Sequence, residues 1–503
     1  MIAGFHDASE IGLEVDAADY IVIGSGAGGG AAARVLAASG ARVLVLEEGP
    51  LVPTAKLGTI LVDSMNRLFR NQGKQAAFGR ATTPILQGRC VGGTTFVNSA
   101  IVWRLPGHVL HEWHARHGLA DGLPEAALDE ASAQIEEEMS VRAVAEGSTA
   151  NRQDLLMRAG AGAAGLEGRL IHRYERGCRG SARCFHGCPN EAKQSTTINY
   201  LRRAVRDRAA VYAHAQVGRV VVERGRAVAV TGRIGGAGRE AGNRFRVTAR
   251  RAIVVAASAI QSPNLLRRSG IVRPSLGEHF QAHPGTTVMG LYPEPVDMWT
   301  GASQGYEVLG LRDSHGVKLE SINVPPEVAA ARLPGVGRGL APYLEKLRHV
   351  AAWAVAVRAE AEGRIRPSRL FGDKVNYDLT DRDVERMRMG MKRLAELHFL
   401  AGAREVFPGV HGMPSVLRSA DELSRFDAAP IDARAYNLVA THLFGGCRAG
   451  SDAKTSVVDP QLRVHGLDGL YVMDASVFPT NTGVNPQHSI MAIATVAARR
   501  LAS

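Results

Sequence analysis

The sequence predicts an α/β protein in which one domain is built from both ends of the chain and a second domain is inserted into it. A glycine-rich turn joins a strand to a helix within residues 20–39. A second strand and helix signal closes the chain at residues 469–474 and 486–502. Glycine is frequent, at 56 of 503 residues, which suits a fold with many tight turns.

Composition and charge exclude several classes of protein. Hydrophobic residues make up 45% of the chain and charged residues 22%, so a large folded core is expected in place of disorder. The formal net charge is +11, but the basic residues are scattered and are not interleaved with aromatic residues. We therefore expect no nucleic-acid partner and favour attraction of a small anionic group such as a pyrophosphate.

The chain also shows no signal for export or for a membrane. The first 24 residues contain no basic segment and no cleavage site ahead of the first core strand. Apolar runs are shorter than the roughly 18–20 residues that a membrane span needs. The sequence thus predicts a soluble, cytoplasmic protein without a membrane span.

The first motif is a βαβ unit of the kind that binds dinucleotides. A buried strand over 20–23 leads into Gly24-x-Gly26-x-x-Gly29, with a helix expected from residue 31, and a second strand ends at Glu47. The glycines permit a tight turn, a close approach of backbone amides to a pyrophosphate, and close packing of helix on strand. Glu47 stands where an acid binds ribose hydroxyls. The motif leaves FAD and NAD both open, and its position near the N-terminus favours FAD.

The remaining elements follow in order along the chain. Helices are predicted within 51–75 and 122–165, a loop over 177–189, strands over 209–222, 226–232 and 245–256, and a helix beginning near Ser262 and Pro263. Residues 285–430 alternate strands and helices without a motif that indicates chemistry. Nucleotide-binding signals at both ends and in the middle indicate an interleaved domain.

Four separated segments resemble the glucose–methanol–choline (GMC) oxidoreductase family, and they occur in that family's order. They are the βαβ unit with Glu47, the glycine-rich segment 88–98, the segment 257–271, and the C-terminal region 441–486. The resemblance implies a Rossmann-like FAD-binding domain interleaved with a mixed α/β substrate domain on an antiparallel sheet. We expect the FAD-binding domain at 15–284, with a helical insertion at 105–175, and at 431–503; the substrate domain is expected at 285–430.

The resemblance also implies the residues that hold the cofactor. The expected cofactor-binding positions are Gly24, Gly26, Gly29, Glu47, Gly92, Gly93, Asn98, Asp474, Ala475 and Pro486. Some members of the family attach the flavin covalently through a histidine just before the asparagine of the second segment. That position is Val97 here, so non-covalent FAD is expected.

Matching the family's C-terminal motif gives His442 and Asn485 as the catalytic pair. A neutral histidine can accept the hydroxyl proton of an alcohol while the hydride leaves to flavin N5. Asn485 would hold the substrate oxygen by donating a hydrogen bond, and His488 is a rival for that second role. The expected reaction is oxidation of a CH–OH group to a carbonyl.

Three crowded cysteines, Cys178, Cys184 and Cys188, form a loop that ends in Cys-Pro. In a cytoplasmic protein this spacing points to metal or cofactor chemistry before a disulfide framework. It resembles the loop of bacterial FAD glucose and gluconate dehydrogenases, which implies an iron–sulfur cluster. Zinc with His186 as a further ligand and simple free thiols remain open. Cys90 and Cys447 are expected to be small buried residues.

Several functions remain open at this stage. Apolar residues across 285–430 and a C-terminal motif that resembles that of cholesterol-oxidase-like members suggest a steroid, long-chain or terpenoid alcohol as substrate, and a sugar remains an alternative. The electron acceptor is expected to be oxygen, a quinone or a redox protein. The alternatives are a flavin-containing lyase of the hydroxynitrile-lyase type and a cluster-linked dehydrogenase that passes electrons outward.

Overall fold

A computed structural model describes residues 4–235, 243–368 and 372–503, and it confirms the α/β class. The predicted segment 285–430 therefore contains three residues, 369–371, that lie outside the described part. Two large sheets dominate the described chain, one of eight strands and one of eleven. Each sheet has its own hydrophobic core.

The strands are numbered in chain order. They are β1 (Phe5–Asp7), β2 (Ala17–Ile23), β3 (Val43–Leu46), β4 (Gln75–Phe78), β5 (Thr83–Ile85), β6 (Val141–Ala143), β7 (Gly168–Leu170), β8 (His172–Tyr174), β9 (Ala210–Ala213), β10 (Ala215–Glu223), β11 (Arg226–Ile234), β12 (Arg244–Val255), β13 (Gln281–Leu291), β14 (Tyr306–Val308), β15 (Val317–Ser321), β16 (Val350–Val357), β17 (Arg364–Ser368), β18 (Gly372–Asn376), β19 (Glu405–Phe407), β20 (Val439–Phe444) and β21 (Leu470–Val472).

The α-helices are numbered in the same way. They are α1 (Ala8–Ile11), α2 (Ala27–Ala38), α3 (Leu61–Leu68), α4 (Thr94–Val97), α5 (Gly107–His117), α6 (Glu125–Glu138), α7 (Arg152–Ala163), α8 (Tyr200–Arg206), α9 (Gln261–Arg268), α10 (Leu311–His315), α11 (Pro326–Ala330), α12 (Ala341–Glu345), α13 (Asp381–Leu400) and α14 (Gln487–Ala502). The predicted start of the first long helix at residue 31 was wrong, because α2 already begins at Ala27 and includes the last three glycines of the turn.

The first sheet has the order β1-β9-β3-β2-β12-β11-β10, and β21 pairs with β12. Strand β2 lies between β3 and β12 and runs parallel to both. Its residues from Tyr20 to Ile23 are fully or almost fully buried, as expected for a parallel strand covered on both faces. The carboxyl ends of β2, β12 and β21 therefore lie side by side at one edge of the sheet.

The two ends of the chain pack together on this sheet. Helix α2 from the N-terminal motif packs against α14 from the C-terminus. The Tyr20 hydroxyl also donates a hydrogen bond to the carbonyl of Leu501, at 2.8 Å. The interleaved architecture predicted from the sequence is confirmed by this arrangement.

The second sheet has the order β17-β18-β4-β5-β20-β13-β16-β15-β14-β7, with β19 paired to β13, and most of its neighbours are antiparallel. Helix α13 packs across β13 and β16 through an apolar stripe that includes Met387, Met391 and Leu394. Strands β4, β5, β7 and β20 come from outside residues 285–430. The sheet is thus assembled from several chain segments, and the domain limits stay a prediction.

A buried histidine joins α13 to this sheet. His398 stacks on Trp353, with ring centroids 3.6 Å apart and an angle of 6° between the planes. Its Nδ1 lies 3.0 Å from the Tyr292 hydroxyl, and its Nε2 lies 3.2 Å from the Val288 carbonyl. Because a neutral ring accepts at Nδ1 and donates at Nε2, both contacts suit the uncharged form. Burial lowers the pKa of His398 to about 3.

His398 makes the free energy of unfolding depend on pH. An unfolded histidine titrates near 6.5, so the contribution of His398 is complete above that pH and is lost as the pH falls towards the folded pKa. We expect His398→Gln to lose less unfolding free energy than the wild type between pH 7 and pH 4, by roughly 3 kcal/mol. Urea unfolding at both pH values measures the difference, and exposed His411→Gln is the control. Equal losses in His398→Gln and the wild type would contradict the assignment.

Candidate active site

The glycines of the first turn allow three parts of the backbone to approach closely. A Cβ added to Gly24 would lie 2.3 Å from the Ala256 carbonyl oxygen, and one on Gly29 would lie 2.0 Å from that of Gly24. A Cβ on Gly28, which the sequence analysis did not single out, would lie 1.7 Å from the Met473 carbonyl oxygen. These positions exclude any larger residue. Gly26 differs, because its Cβ would meet no atom of the described residues within 4 Å.

Glu47 lies at the same edge of the sheet and holds the glycine turn in place through hydrogen bonds. Its carboxylate accepts hydrogen bonds from the backbone amide and the hydroxyl of Ser25, at 3.1 and 2.6 Å, and from the backbone amide of Gly49. The Ser25 hydroxyl also accepts a hydrogen bond from the amide of Gly92, at 2.8 Å. Ser25 therefore links the turn, the second strand and the segment 88–98. The sequence reasoning missed it, although it lies within the glycine motif.

The segment 88–98 folds back over the turn. A Cβ on Gly93 would lie 3.0 Å from the Cα of Gly26, so these two glycines bring their backbones together. Asn98 follows α4 and donates a hydrogen bond from Nδ2 to Oε1 of Gln487, at 2.6 Å. Gln487 is the first residue of α14 and was also missed. Val97 is buried in an apolar cluster with Phe96.

Asp474 connects the C-terminal segment to the segment that follows β12. Its carboxylate accepts hydrogen bonds from the amide of Ser258, the hydroxyl of Ser262 and the amide of Ser476. Burial raises the pKa of Asp474, and these hydrogen bonds oppose that shift. The carboxylate thus holds two chain segments together beside the glycine turn.

These features surround one large cavity of about 1730 Å³. Small-ligand pockets have volumes of roughly 300–1,000 Å³, so this cavity has room for a dinucleotide and a substrate together. The predicted positions that line it are Gly24, Gly26, Glu47, Gly93, Asn98, Asp474, Ala475 and Pro486, together with His442 and Asn485. Gly29 and Gly92 lie behind this lining. The residues present therefore fit a dinucleotide cofactor.

The catalytic pair predicted from the sequence comes together in the lining of the cavity. His442 is on β20, and its Nε2 lies 3.4 Å from Nδ2 of Asn485, which precedes α14. The neighbouring strand β13 adds His283, whose Nδ1 lies 3.0 Å from Nδ1 of His442. His283 was missed because nothing in the sequence spacing indicates that β13 and β20 are adjacent.

Both histidines are neutral at ordinary pH. Burial and the nearby positive charge of Lys318 lower the pKa of His442 to about 3. Burial, His442 and Lys318 lower the pKa of His283 well below its usual value. An uncharged imidazole has a lone pair for a proton, which a general base requires.

His488, the rival for the second catalytic role, lies elsewhere. It is fully buried within α14, and its Nδ1 lies 2.6 Å from the Tyr174 hydroxyl. Among the described residues that line the cavity, Asn485, Pro486, Gln487 and Ile490 come from this part of the chain. The geometry thus favours Asn485 over His488 as the partner of His442.

The cysteine loop packs beside the segment 88–98. The buried Lys193 ammonium donates hydrogen bonds to the carbonyls of Phe96, Asn98 and Cys184, at 2.6, 2.8 and 3.0 Å. The guanidinium of Arg173 donates to Sγ of Cys184, at 3.2 Å. Burial of Cys184 opposes ionisation, but the charges of Arg173 and Lys193 outweigh it and lower the pKa of the thiol to about 7.

The arrangement of this loop does not support a metal centre. Within 4–235, 243–368 and 372–503, no group of three or more His, Cys, Asp or Glu side chains could hold a metal ion. All five cysteines are free thiols, and Cys90 and Cys447 are buried as expected. His186, the zinc alternative, instead contacts the hydroxyl of Ser64 at 2.7 Å. Neither the iron–sulfur cluster nor the zinc site gains support from the geometry.

In the described part of the chain, every helix is too short or too polar to cross a membrane.

Comparison with known proteins identifies relatives over most of the chain. Residues 19–285 and 360–494 each match a part of the GMC oxidoreductase family. An uncharacterized GMC-type oxidoreductase of Mycobacterium tuberculosis is 36% identical over 486 residues, which cover 95% of this chain and 75% of that protein. A long-chain-alcohol oxidase of Arabidopsis thaliana is 28% identical over 511 residues, covering 95% of this chain and 67% of that protein.

A solved structure shares the fold. Pyridoxine 4-oxidase from Mesorbium loti superposes with a TM-score of 0.72 at 19% identity, over 96% of this chain and 98% of that one.

The open space at Gly26 leads to a first test of the cofactor site. We expect Gly26→Ala to leave the unfolding free energy of the cofactor-free protein unchanged, because the added methyl meets no described atom, and to weaken FAD binding at least tenfold. Flavin fluorescence titration and urea unfolding measure the two effects.

Two further variants make this comparison specific. Gly28→Ala should destabilise the fold itself, because its methyl would overlap the Met473 carbonyl. Gly107→Ala, at an open position on α5, should change neither property. Unchanged FAD affinity in Gly26→Ala would remove this turn from the cofactor site.

Proposed function

The chain belongs to the GMC oxidoreductase family, and we propose that it uses FAD to oxidise the CH–OH group of an alcohol to a carbonyl. The family and the fold support FAD as the cofactor. The observation that carries the proposal is that a neutral histidine and an amide share one cavity with a dinucleotide cradle. This combination meets the two needs of alcohol oxidation, removal of a proton and removal of a hydride.

Each part of the cavity has a proposed task. Gly24, Gly26 and Glu47 bind the dinucleotide, the glycines at the pyrophosphate and the acid at a ribose. Asn98, Asp474 and Ala475 line the same cavity and are proposed as further contacts of the cofactor. FAD, when bound, supplies the acceptor for the hydride. Val97 carries no atom that could bond covalently to a flavin, so the cofactor is proposed to be non-covalent.

The proton has a separate path. Nε2 of His442 accepts the hydroxyl proton as the substrate carbon loses its hydride, and Nδ2 of Asn485 donates a hydrogen bond to the substrate oxygen. The partial negative charge that develops on this oxygen is stabilised by the donated hydrogen bond. The cavity walls hold the substrate against both groups and limit the water that could compete for the proton.

The lining of the cavity as a whole is mostly apolar. Its walls include Trp299, Ile322, Val324, Pro325 and Val328. An apolar wall stabilises a hydrocarbon body through the hydrophobic effect, at about 25 cal/mol per Å² buried. We therefore propose an alcohol with an apolar body, and the similarity to the long-chain-alcohol oxidase points in the same direction.

A panel of alcohols tests the reaction. Long-chain and terpenoid alcohols should bleach the flavin absorbance when mixed with the holoenzyme without oxygen, and sugars should bleach it more slowly, because the cavity wall is apolar. The measurement is the rate of bleaching in a stopped-flow spectrometer. A flavin that stays oxidised with every alcohol, while a cyanohydrin is cleaved, would instead indicate a lyase.

The role of His442 is tested by removing its side chain. His442→Ala should slow flavin reduction by about two orders of magnitude or more, as expected for the loss of a general base. Exposed His411→Ala is the matched control and should reduce its flavin at the wild-type rate. A rate for His442→Ala within a few-fold of the control would exclude the histidine as the base.

The pH dependence follows from the lowered pKa of His442. The base acts only when unprotonated, so the rate of flavin reduction should rise with pH and level off above the pKa. Because burial and Lys318 lower this pKa to about 3, the plateau should already be reached in mildly acidic buffer. A rate that is still rising between pH 6 and pH 8 would contradict a base that is already neutral at pH 6.

A further inference from the structure

A buried lysine contacts the catalytic pair from outside the cavity. Lys318 lies on β15 and is 2% exposed, and it is not among the residues that line the cavity. Its ammonium donates a hydrogen bond to Oδ1 of Asn485, at 2.6 Å. It also forms ion pairs with Glu307, at 3.3 Å, and with Glu320. These carboxylates balance the buried charge.

The lysine determines which end of the Asn485 amide faces His442. An ammonium group can only donate hydrogen bonds, so the amide oxygen must point towards Lys318. The amide NH₂ group then points towards Nε2 of His442, at 3.4 Å. With the opposite orientation, two donors would face each other in a buried site, which is unfavourable because neither would find an acceptor.

The orientation of the amide in turn selects the tautomer of His442. A donor facing Nε2 favours a lone pair on that atom, so the ring proton lies on Nδ1. Nδ1 lies 3.0 Å from Nδ1 of His283, which can accept this proton's hydrogen bond. The hydrogen bonds therefore run in one direction, from Lys318 through Asn485 and His442 to His283. This direction leaves Nε2 of His442 unprotonated, which is the state that a base requires.

The charges around this chain of hydrogen bonds come from several strands. Glu307 is on β14 and pairs with Arg169 of β7. Glu320 is on β15. Arg358 follows β16, and its positive charge helps to lower the pKa of His283. Burial and the positive charge of Lys318 lower the pKa of the His442 ring. The fold thus keeps the Lys318 ammonium close to the His442 ring, and this charge disfavours protonation of the ring.

We propose that Lys318 is a positioning residue that orients the Asn485 amide and holds His442 in the neutral form with Nε2 unprotonated. This inference rests on the proposed function, because it assigns His442 as the base. It extends the function by one residue that lies behind the site and acts through Asn485. The buried ion pairs with Glu307 and Glu320 hold the lysine in place for this task.

The first measurement uses the wild-type holoenzyme and requires no turnover. Ring ¹⁵N resonances of labelled histidines report the tautomer, and His442→Gln assigns the signal of His442 by its disappearance. We expect Nδ1 protonated and Nε2 unprotonated, without titration down to pH 5. Protonation of Nε2 at neutral pH would overturn the proposal.

The second measurement compares two variants that differ only at Lys318. Glu320→Gln keeps an oxygen that can accept from Lys318 and serves as the matched control. The double variant Lys318→Met/Glu320→Gln removes one charge of each sign and leaves Glu307 paired with Arg169. Relative to the control, the double variant should show a His442 pKa higher by at least one unit and flavin reduction at least tenfold slower.

Two further measurements complete the test: the dependence of the rate on substrate concentration, and the rate of the Lys318→Arg variant. The substrate concentration at half-maximal rate should stay within a few-fold of the control, because Lys318 does not line the cavity. Lys318→Arg keeps the charge and the donor and should restore most of the rate. Equal pKa values and rates in the control and the double variant would overturn the proposal.

The outcomes separate this inference from the proposed function. If no alcohol reduces the wild-type flavin, the function fails, while the ¹⁵N measurement still decides the tautomer. If the double variant does not fold, the wild-type tautomer alone decides the proposal.

Discussion

Three backbone segments approach each other closely at the glycine turn, and both the edge of the first sheet and the cavity rely on this contact. Gly24 and Gly28 contact the carbonyls of Ala256 and Met473, at distances that leave no room for a Cβ. The ends of β2, β12 and β21 meet at one edge of the sheet as a result. Residues from both ends and the middle of the chain can therefore line one cavity, which a glycine-free turn would prevent.

The second sheet contributes the two histidines that line the cavity beside the glycine turn. Strands β13 and β20 pair antiparallel, although 159 residues separate the two histidines that they bring together. One histidine comes from each strand, and Asn485 comes from the segment that leads into α14. The site thus exists only where the two sheets meet. Its polar atoms are buried or half-buried, so a neutral ring and paired charges are the states that the surroundings stabilise.

Much of the fold was predictable because its signals are local. The turn glycines and Glu47 form a short pattern whose chemistry follows from residue type and spacing. His442 and Asn485 were identified through the resemblance of the C-terminal segment to the GMC family. The helix start at Ala27 was misjudged because glycines in the first turn of a helix read as a loop. Ser25, Gln487, His283 and Lys318 were missed because their roles depend on partners far away in the chain. The cysteine spacing suggested a metal site that the described geometry does not support.

The class of fold and the dinucleotide motif could be recognised from the sequence, because strand and helix periodicity and turn glycines are properties of neighbouring residues. The family followed from the resemblance of four separated segments. The contacts between the functional groups became visible only in the folded chain. The register of β13 against β20 brings His283 to His442, and burial of Lys318 between Glu307 and Glu320 directs its ammonium towards Asn485. Strand register and burial depend on the packing of the whole chain, so no local pattern could contain them.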